Sequence, residues 1–224
     1  MKREIIKTAD GSTTIHLPDW NEHYHSVHGA IQEARHVFIK SGFLQFIEKR
    51  QPKEISILEV GFGTGLNALV TWQEGKKHSV QINYCGVEAY PISTEEVQKL
   101  NYAVEIGDTE AAQVFKKIHD TEWEQEHLIT QSFNLIKQKK FFKEISSTQE
   151  FDLIYFDAFG ARVQPELWTE DIFRIMFRAM IAGGILVTYA AKGSVRRAML
   201  EVGFKVEKLP GPPGKREMLR ATRE

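Results

Sequence analysis

The sequence predicts an α/β protein built on a doubly wound, mostly parallel sheet. Four short runs of apolar and β-branched residues carry this prediction, and they lie at 55–60, 82–87, 151–156 and 185–189. Such runs are typical of strands that are covered by helices on both faces, and their alternation with amphipathic stretches favours parallel pairing. The 224 residues are 42% hydrophobic and 26% charged, which is the composition of an ordinary globular protein.

Residues 1–50 are expected to form an extension of hairpin and helix, and residues 51–224 the main domain. Two β-rich runs flank Asp10-Gly11, which is a hairpin signal, and apolar residues recur at helical spacing between positions 29 and 48. In the main domain, helices are predicted at 66–72, 94–104, 168–180 and 195–202. A further strand is predicted at 133–136, one or two surface helices at 108–131, and two last strands at 204–208 and 215–222 around a proline- and glycine-rich turn.

Charge and cysteine content exclude several classes of protein. The 29 basic and 30 acidic residues give a net charge of −1, which excludes a uniformly basic nucleic-acid coat but not a local basic patch. The single cysteine, Cys85, excludes an intramolecular disulfide and a zinc-thiolate cluster, and no metal is expected. The chain begins without the apolar stretch of a signal peptide, and its most apolar run is too short to span a membrane. We therefore expect a cytoplasmic protein without a membrane partner.

A glycine-rich loop follows the first predicted strand of the main domain. Gly61, Gly63 and Gly65 have the spacing G-x-G-x-G, which differs from the dinucleotide fingerprint G-x-G-x-x-G. Glu59 precedes the loop, where a carboxylate repels a pyrophosphate and attracts an ammonium group. Glu88 ends the next strand, where carboxylates bind ribose hydroxyls in nucleotide-binding folds. These features favour S-adenosylmethionine as the ligand, with NAD binding and a glycine turn without a ligand as the alternatives.

Asp157 and Phe159 follow the predicted strand at 151–156. Ligands of open α/β sheets bind at the carboxyl ends of the strands, so we expect Asp157 to face the site. A carboxylate there can accept the proton of an attacking amine. The alternatives are a structural aspartate that caps a turn and a phenylalanine that belongs to the core.

Nine segments in chain order resemble the methyltransferase half of the bifunctional bacterial enzymes that make 5-methylaminomethyl-2-thiouridine in tRNA. They lie at 24–26, 29–33, 37–38, 58–67, 156–159, 165–169, 195–197, 203–204 and 214–219. The glycine loop is common to many methyltransferases, whereas P-E-L-W-T, V-R-R and G-K-R-E-M-L are more particular to this family. The flavin-dependent oxidoreductase half has no counterpart in the sequence, so a stand-alone methyltransferase is expected.

The resemblance implies a Rossmann-like class I methyltransferase that methylates the primary amine of 5-aminomethyluridine at the wobble position, in the anticodon loop of tRNA. It implies that Asp157 and Phe159 lie at the reacting amine. The residues implied to bind S-adenosylmethionine are Tyr24, Ser26, Glu33, Glu59, Gly61, Gly63, Gly65, Asn67, Glu88 and Asp157. The family's Gly-Asp after the strand at 133–136 is missing here, so adenine recognition by a carboxylate is not expected.

A local surplus of basic residues in the last third of the chain predicts a binding face for RNA phosphates. The substrate-binding residues predicted from it and from the family motifs are Phe159, Lys192, Arg196, Arg197, Lys215 and Arg216. Phe159 is expected to stack on an unpaired base. Three other functions stay open: a methyltransferase for a small-molecule amine, a cofactor- or RNA-binding module without catalysis, and an NAD-dependent oxidoreductase.

Overall fold

A small antiparallel sheet forms the beginning of the chain in the computed structural model, which describes residues 2–224. Its strands are β1 (Glu4–Lys7), β2 (Thr13–Leu17) and β3 (Glu22–His23). The first two pair around the predicted Asp10-Gly11 turn, with Ile5 opposite Ile15. The predicted hairpin is therefore confirmed, and the short third strand is an addition to it.

The main sheet has eight strands. They are β4 (Glu54–Val60), β5 (Gln81–Val87), β6 (Glu126–Thr130), β7 (Phe133–Gln138), β8 (Phe151–Phe156), β9 (Met180–Thr188), β10 (Lys205–Pro210) and β11 (Glu217–Thr222). Their order is β10-β11-β9-β8-β4-β5-β7-β6. The five central strands, from β9 to β7, pair in parallel, and the outer three are antiparallel. The predicted fold class is thus confirmed.

Helices cover both faces of this sheet. They are α1 (Ala30–Ala34), α2 (Gln45–Arg50), α3 (Leu66–His78), α4 (Thr94–Val97), α5 (Tyr102–Glu105), α6 (Ala111–Asp120), α7 (Glu170–Ala179) and α8 (Gly193–Val202). A π-helical segment, Arg35–Leu44, joins α1 to α2, so the predicted helix near 29–48 is continuous. None of the helices among residues 2–224 is long and apolar enough to cross a bilayer.

Two predicted elements differ from the structure. The segment predicted as surface helix at 108–131 contains one helix and then the edge strand β6, whose exposed Leu128 and polar neighbours hide its strand pattern. The helix predicted at 94–104 is divided into α4 and α5 at Asn101. The Asn101 side chain accepts a hydrogen bond from the backbone N–H of Thr13, at 2.7 Å, and so ties this break to the N-terminal sheet. Thr13 lies 88 residues before Asn101 in the chain, so the local sequence pattern does not show this contact.

The chain changes direction in the sheet between β4 and β8. From β4 it runs outward through β5 to β7, whereas β8 and β9 lie on the other side of β4. The carboxyl ends of these neighbouring strands meet at one edge, which is where open α/β sheets bind ligands. There the backbone N–H of Asp157 donates to the carbonyl of Val60, at 2.9 Å. The fold thereby joins the glycine loop to the Asp157 segment.

Candidate functional site

A cavity of about 1620 Å³ lies at this edge of the sheet. Its walls come from the glycine loop, the ends of β5 and β8, the N-terminal sheet and the loop that contains Lys215. Sites for small molecules typically have volumes of roughly 300–1,000 Å³. The cavity is therefore large enough for a cofactor together with part of a second ligand.

The glycine loop lies between two walls that leave no room for side chains. A Cβ atom on Gly61, whose φ is +95°, would lie 2.5 Å from the backbone oxygen of Asp157. A Cβ on Gly63, whose φ is +49°, would lie 3.1 Å from the Tyr24 ring. Both glycines line the cavity, so its floor is bare backbone that a ligand can approach closely.

Gly65 has a different role from the other two glycines. It is the residue before α3, has a left-handed conformation and lies outside the cavity wall. A Cβ there would meet the His119 ring at 3.1 Å. Gly65 thus starts the helix, and the cofactor contact predicted for it stays a prediction.

Glu88 lies at one end of the cavity, directly after β5, and is half-buried. Its Oε2 accepts a hydrogen bond from the backbone N–H of Gly63, at 3.0 Å, and its Oε1 accepts one from the backbone N–H of Tyr90, at 2.9 Å. Two backbone donors therefore fix the carboxylate beside the glycine loop. This position suits the hydroxyl groups of a ribose.

Two exposed aromatic residues that the sequence analysis missed lie near Glu88. Tyr90 is 62% exposed and Phe141 is 49% exposed, and both line the cavity. Their ring centroids are 6.0 Å apart in an edge-to-face arrangement. Their positions in the sequence could have indicated this location, because Tyr90 lies shortly after the end of β5 and Phe141 shortly after the end of β7.

Asp157 lies at the other end of the cavity and is held by Asn67. The amide nitrogen of Asn67 donates to Asp157 Oδ2 at 2.9 Å and to Glu59 Oε1 at 2.8 Å. Asn67 and Asp157 line the cavity, whereas Glu59 is fully buried behind it and accepts a second hydrogen bond from Tyr84. Glu59 is thus linked to the cavity through Asn67, and its predicted contact with the cofactor stays a prediction.

Burial raises the pKa of Asp157 to about 7, and the nearby Glu33 carboxylate acts in the same direction. The hydrogen bond from Asn67 and the positive charge of Lys215 oppose this rise. Burial also raises the pKa of Glu59 well above its usual value, and Asp157 adds to this rise. Asp157 can therefore gain or lose a proton near neutral pH.

Glu33 and Lys215 form an ion pair beside Asp157, although 182 residues separate them in the chain. Glu33 also accepts a hydrogen bond from the backbone N–H of Ser26, at 2.7 Å. The Lys215 ammonium lies 3.8 Å from the centre of the Tyr189 ring, and the Tyr189 hydroxyl donates to the carbonyl of Ala158. Ser26, Glu33 and Lys215, which were assigned to the site from sequence, are thus brought together at this end.

Phe159 lies between Asp157 and the N-terminal sheet. Its ring centroid is 5.0 Å from that of Tyr24 and 5.8 Å from that of Trp20, both edge-on. All three aromatic residues line the cavity. The fold thus builds an aromatic wall from the N-terminal sheet and the loop after β8.

The other predicted basic residues lie outside the cavity wall. Lys192, Arg197 and Arg216 are exposed, and Lys192 directly precedes α8. Arg196 is half-buried, and its Nε has no hydrogen-bond partner among residues 2–224. Within this predicted set, the cavity brings together Phe159 and Lys215 but not the other four.

The parallel sheet, the glycine loop after its first central strand and the carboxylate after the next define a class I methyltransferase fold. A family profile described as S-adenosyl-L-methionine-dependent methyltransferase matches residues 109–224, slightly more than half of the chain. The chain belongs to this family, and its cofactor is S-adenosyl-L-methionine.

Relatives and solved structures agree with the resemblance found in the sequence. The tRNA 5-methylaminomethyl-2-thiouridine biosynthesis bifunctional protein MnmC of Paraburkholderia xenovorans is 28% identical over 90% of this chain and 32% of its own length. MnmC of Polaromonas naphthalenivorans is 30% identical over 95% of this chain and 34% of its own length. This chain therefore spans about a third of these relatives.

The crystal structure of MNMC2 from Aquifex aeolicus matches with a TM-score of 0.81 and 26% identity. The match covers the whole of this chain and 70% of that one. A probable spermidine synthase from Corynebacterium glutamicum matches with a TM-score of 0.55 and 16% identity, which is a likeness of fold alone. The predicted family resemblance and the predicted cofactor are thus confirmed.

Proposed function

We propose that this protein methylates the primary amine of 5-aminomethyluridine, with or without 2-thiolation, at the wobble position of tRNA. The observation that carries the proposal is the half-buried Asp157 carboxylate, which Asn67 holds in the same cavity as Glu88 and the glycine loop. A cofactor site and a proton acceptor thus share one enclosure. The names of the MnmC relatives support the choice of tRNA as the substrate.

The residues present fit S-adenosylmethionine. Glu88 would bind the ribose hydroxyls, and the bare backbone at Gly61 and Gly63 allows close approach of the ligand. Tyr90 and Phe141 would flank the adenine by apolar and stacking contact, which replaces the carboxylate that the sequence lacks. When bound, the cofactor supplies a methyl group that its sulfonium centre has already activated.

The chemistry left to the chain is to orient the amine and to take its proton. A primary amine with a lysine-like pKa near 10.4 is almost fully protonated at pH 7, and its lone pair is then unable to attack. The Asp157 carboxylate would accept this proton, so that the lone pair of the nitrogen is free to attack the methyl group that the cofactor supplies. Proton acceptance of this kind contributes roughly 10²–10⁴-fold to a rate.

The aromatic wall of Trp20, Tyr24 and Phe159 would receive the uridine ring, because RNA bases that leave their stack bind to aromatic side chains. Lys192, Arg196, Arg197 and Arg216 would contact phosphates near the mouth of the cavity. In this proposal we keep the division of the chain into an extension, residues 1–50, and a main domain, residues 51–224. The helical part of the extension packs in the core of the main domain, and its three-stranded sheet contributes a wall of the cavity.

The direct test is methyl transfer to tRNA isolated from a strain that stops at 5-aminomethyluridine. We expect the purified protein and S-adenosylmethionine to convert that nucleoside to its methylamino form, as measured by mass spectrometry of digested tRNA. Fully modified tRNA is the matched control and should accept no methyl group. Methylation of a free amine but not of this tRNA would identify a small-molecule enzyme. Calorimetric binding of S-adenosylmethionine without turnover would identify a binding module, and binding of NAD instead would contradict the cofactor assignment.

A further inference from the structure

Asn67 connects two acidic residues that play different parts in the site. It lies at the start of α3, directly after the glycine loop, and is buried. Both hydrogens of its Nδ2 are in use, since that atom donates to Glu59 Oε1 at 2.8 Å and to Asp157 Oδ2 at 2.9 Å. Its carbonyl Oδ1 has no hydrogen-bond partner among residues 2–224. The orientation of this amide is therefore set by the two carboxyl groups alone.

The two carboxyl groups determine which atom of the Asn67 amide lies between Glu59 and Asp157. If the amide were rotated by half a turn, its oxygen would face two carboxyl groups, and both would have to be protonated to donate to it. The partners of Glu59 are Asn67 and Tyr84, neither of which is charged. A carboxylate and the carbonyl oxygen of a neutral carboxyl group both accept hydrogen bonds, so the orientation with the nitrogen between the two acids suits Glu59 in either protonation state. Burial raises the pKa of Glu59 well above its usual value.

We propose that Asn67 is a positioning residue that holds the Asp157 carboxylate by one oxygen and leaves the other for the substrate amine, and that Glu59 is the buried anchor of this amide. The inference deepens the proposed methyl transfer and rests on it for its effect on turnover. Oδ2 of Asp157 is bound to Asn67, and Oδ1 accepts no hydrogen bond from the described part of the chain. One oxygen is thus fixed and one is free.

The charge on Asp157 depends on groups from every element around it. Glu33 on α1, Lys215 in the loop before β11, Tyr189 after β9 and the Glu59–Tyr84 pair on β4 and β5 face this region. Of these, Glu33 and Lys215 are paired with each other. The Asn67 N–H is a donor that favours the ionised form of Asp157 directly, so its removal should raise the pKa of Asp157.

The test compares Asn67→Ala, Glu59→Ala and Glu59→Gln in the full chain. The Asp157 carboxyl group is titrated by carbon NMR, with its signal assigned from Asp157→Asn, and turnover on tRNA is measured against pH. Asn67→Ala should raise the Asp157 titration midpoint by about one pH unit, the scale of one hydrogen bond to a charged group, and lower kcat at pH 7 by about fivefold, because the ionised fraction falls from about a half to about a tenth. Glu59→Gln should restore most of the turnover that Glu59→Ala loses, because a neutral amide can still accept from Asn67.

Asn134→Ala is the matched control, because the Asn134 side chain donates to Asn83 at 3.0 Å in β5 and β7, away from the cavity. It should leave the Asp157 titration unchanged. An unchanged Asp157 midpoint in a folded Asn67→Ala variant would overturn the positioning role. Equal shifts of the Asp157 midpoint in Glu59→Gln and Glu59→Ala would overturn the anchor role. The NMR titration needs no turnover, so it decides these points even if the wild-type protein fails to methylate tRNA.

Discussion

The two ends of the cavity each present a carboxylate, and the two are held in different ways. Glu88 accepts hydrogen bonds from two backbone N–H groups, those of Gly63 and Tyr90, and lies beside exposed aromatic residues. Asp157 accepts one hydrogen bond, from a side chain, and lies close to the Glu33 carboxylate. Backbone donors fix a carboxylate as an acceptor for hydroxyl groups, whereas burial near another acid prepares a carboxylate to exchange protons. On this difference we propose that the Glu88 end binds the cofactor and that the Asp157 end takes part in the chemistry.

Asp157→Asn should have the largest effect on the reaction and little effect on cofactor binding. The amide keeps the size of the side chain and can still accept from Asn67, but it has almost no basicity. We expect turnover to fall by roughly 10²–10⁴-fold while the affinity for S-adenosylmethionine changes by less than about threefold. Single-turnover methylation and calorimetry on the same preparation measure the two quantities. If affinity falls and the rate does not, Asp157 belongs to the binding end instead.

The pH dependence of the wild-type protein tests the same assignment without a mutation. The pKa of Asp157 is raised to about 7, and the ionised form is the one that accepts a proton. Turnover should therefore increase as the pH rises through about 7, and the increase should fit the loss of one proton from a single group. The measurement is kcat from pH 5.5 to 8.5 at saturating cofactor, in steps of about half a unit. A flat profile across this range would contradict proton acceptance by Asp157.

The sequence predicted the parts of the site that are local to one strand end. Gly61, Glu88 and Asp157 each follow a buried strand directly, and Gly63 lies two residues after Gly61, so their place at one edge follows from the parallel order of the sheet. The complete burial of Glu59 was not predicted, because spacing along a strand does not say which side chains the neighbouring elements cover.

The parts of the site that the sequence analysis missed depend on long-range packing. The helix predicted at 94–104 is broken because Asn101 bonds to Thr13 in the N-terminal sheet. The aromatic pair of Tyr90 and Phe141 joins the ends of two strands that are 51 positions apart. Such contacts exist only once the chain is folded, and no periodicity in the sequence marks them.

Glu88→Ala should produce the largest effect at the binding end. The variant loses the carboxylate that bridges the backbone of the glycine loop and that of Tyr90. A hydrogen bond to a charged group contributes about 1.5–3 kcal/mol, so we expect the Kd for S-adenosylmethionine to rise by roughly 10- to 150-fold. The rate at saturating cofactor should fall far less than in Asp157→Asn. An unchanged Kd in calorimetry would mean that the ribose is held elsewhere.

Tyr90→Ala should have a smaller effect of the same kind. An aromatic contact contributes about 0.5–1.5 kcal/mol beyond its buried area, so the Kd should rise by about threefold to tenfold, with little change in the KM for tRNA. Tyr90→Phe is the matched control, because it keeps the ring that meets Phe141 edge-on. A larger change in the KM for tRNA than in the Kd for the cofactor would mean that Tyr90 and Phe141 contact the RNA and not the adenine.

The smallest predicted effect concerns the exposed cations outside the cavity. Arg197 and Arg216 are exposed, and an exposed charge contact contributes at most about 1 kcal/mol, so each alanine variant should raise the KM for tRNA by about twofold to fivefold at low salt. Phosphate contacts release counterions, so the loss of both arginines should make KM less dependent on salt. The slope of log KM against log salt concentration should fall by roughly one to two. Lys49→Ala is the control, because Lys49 is exposed at the end of α2, beside the amino end of β4 and opposite the cavity. Equal effects of Lys49→Ala and the arginine variants would mean that tRNA is attracted by the general charge of the surface. An effect of the arginine variants alone would mean that the tRNA-binding surface includes α8 and the loop before β11 as well as the aromatic wall.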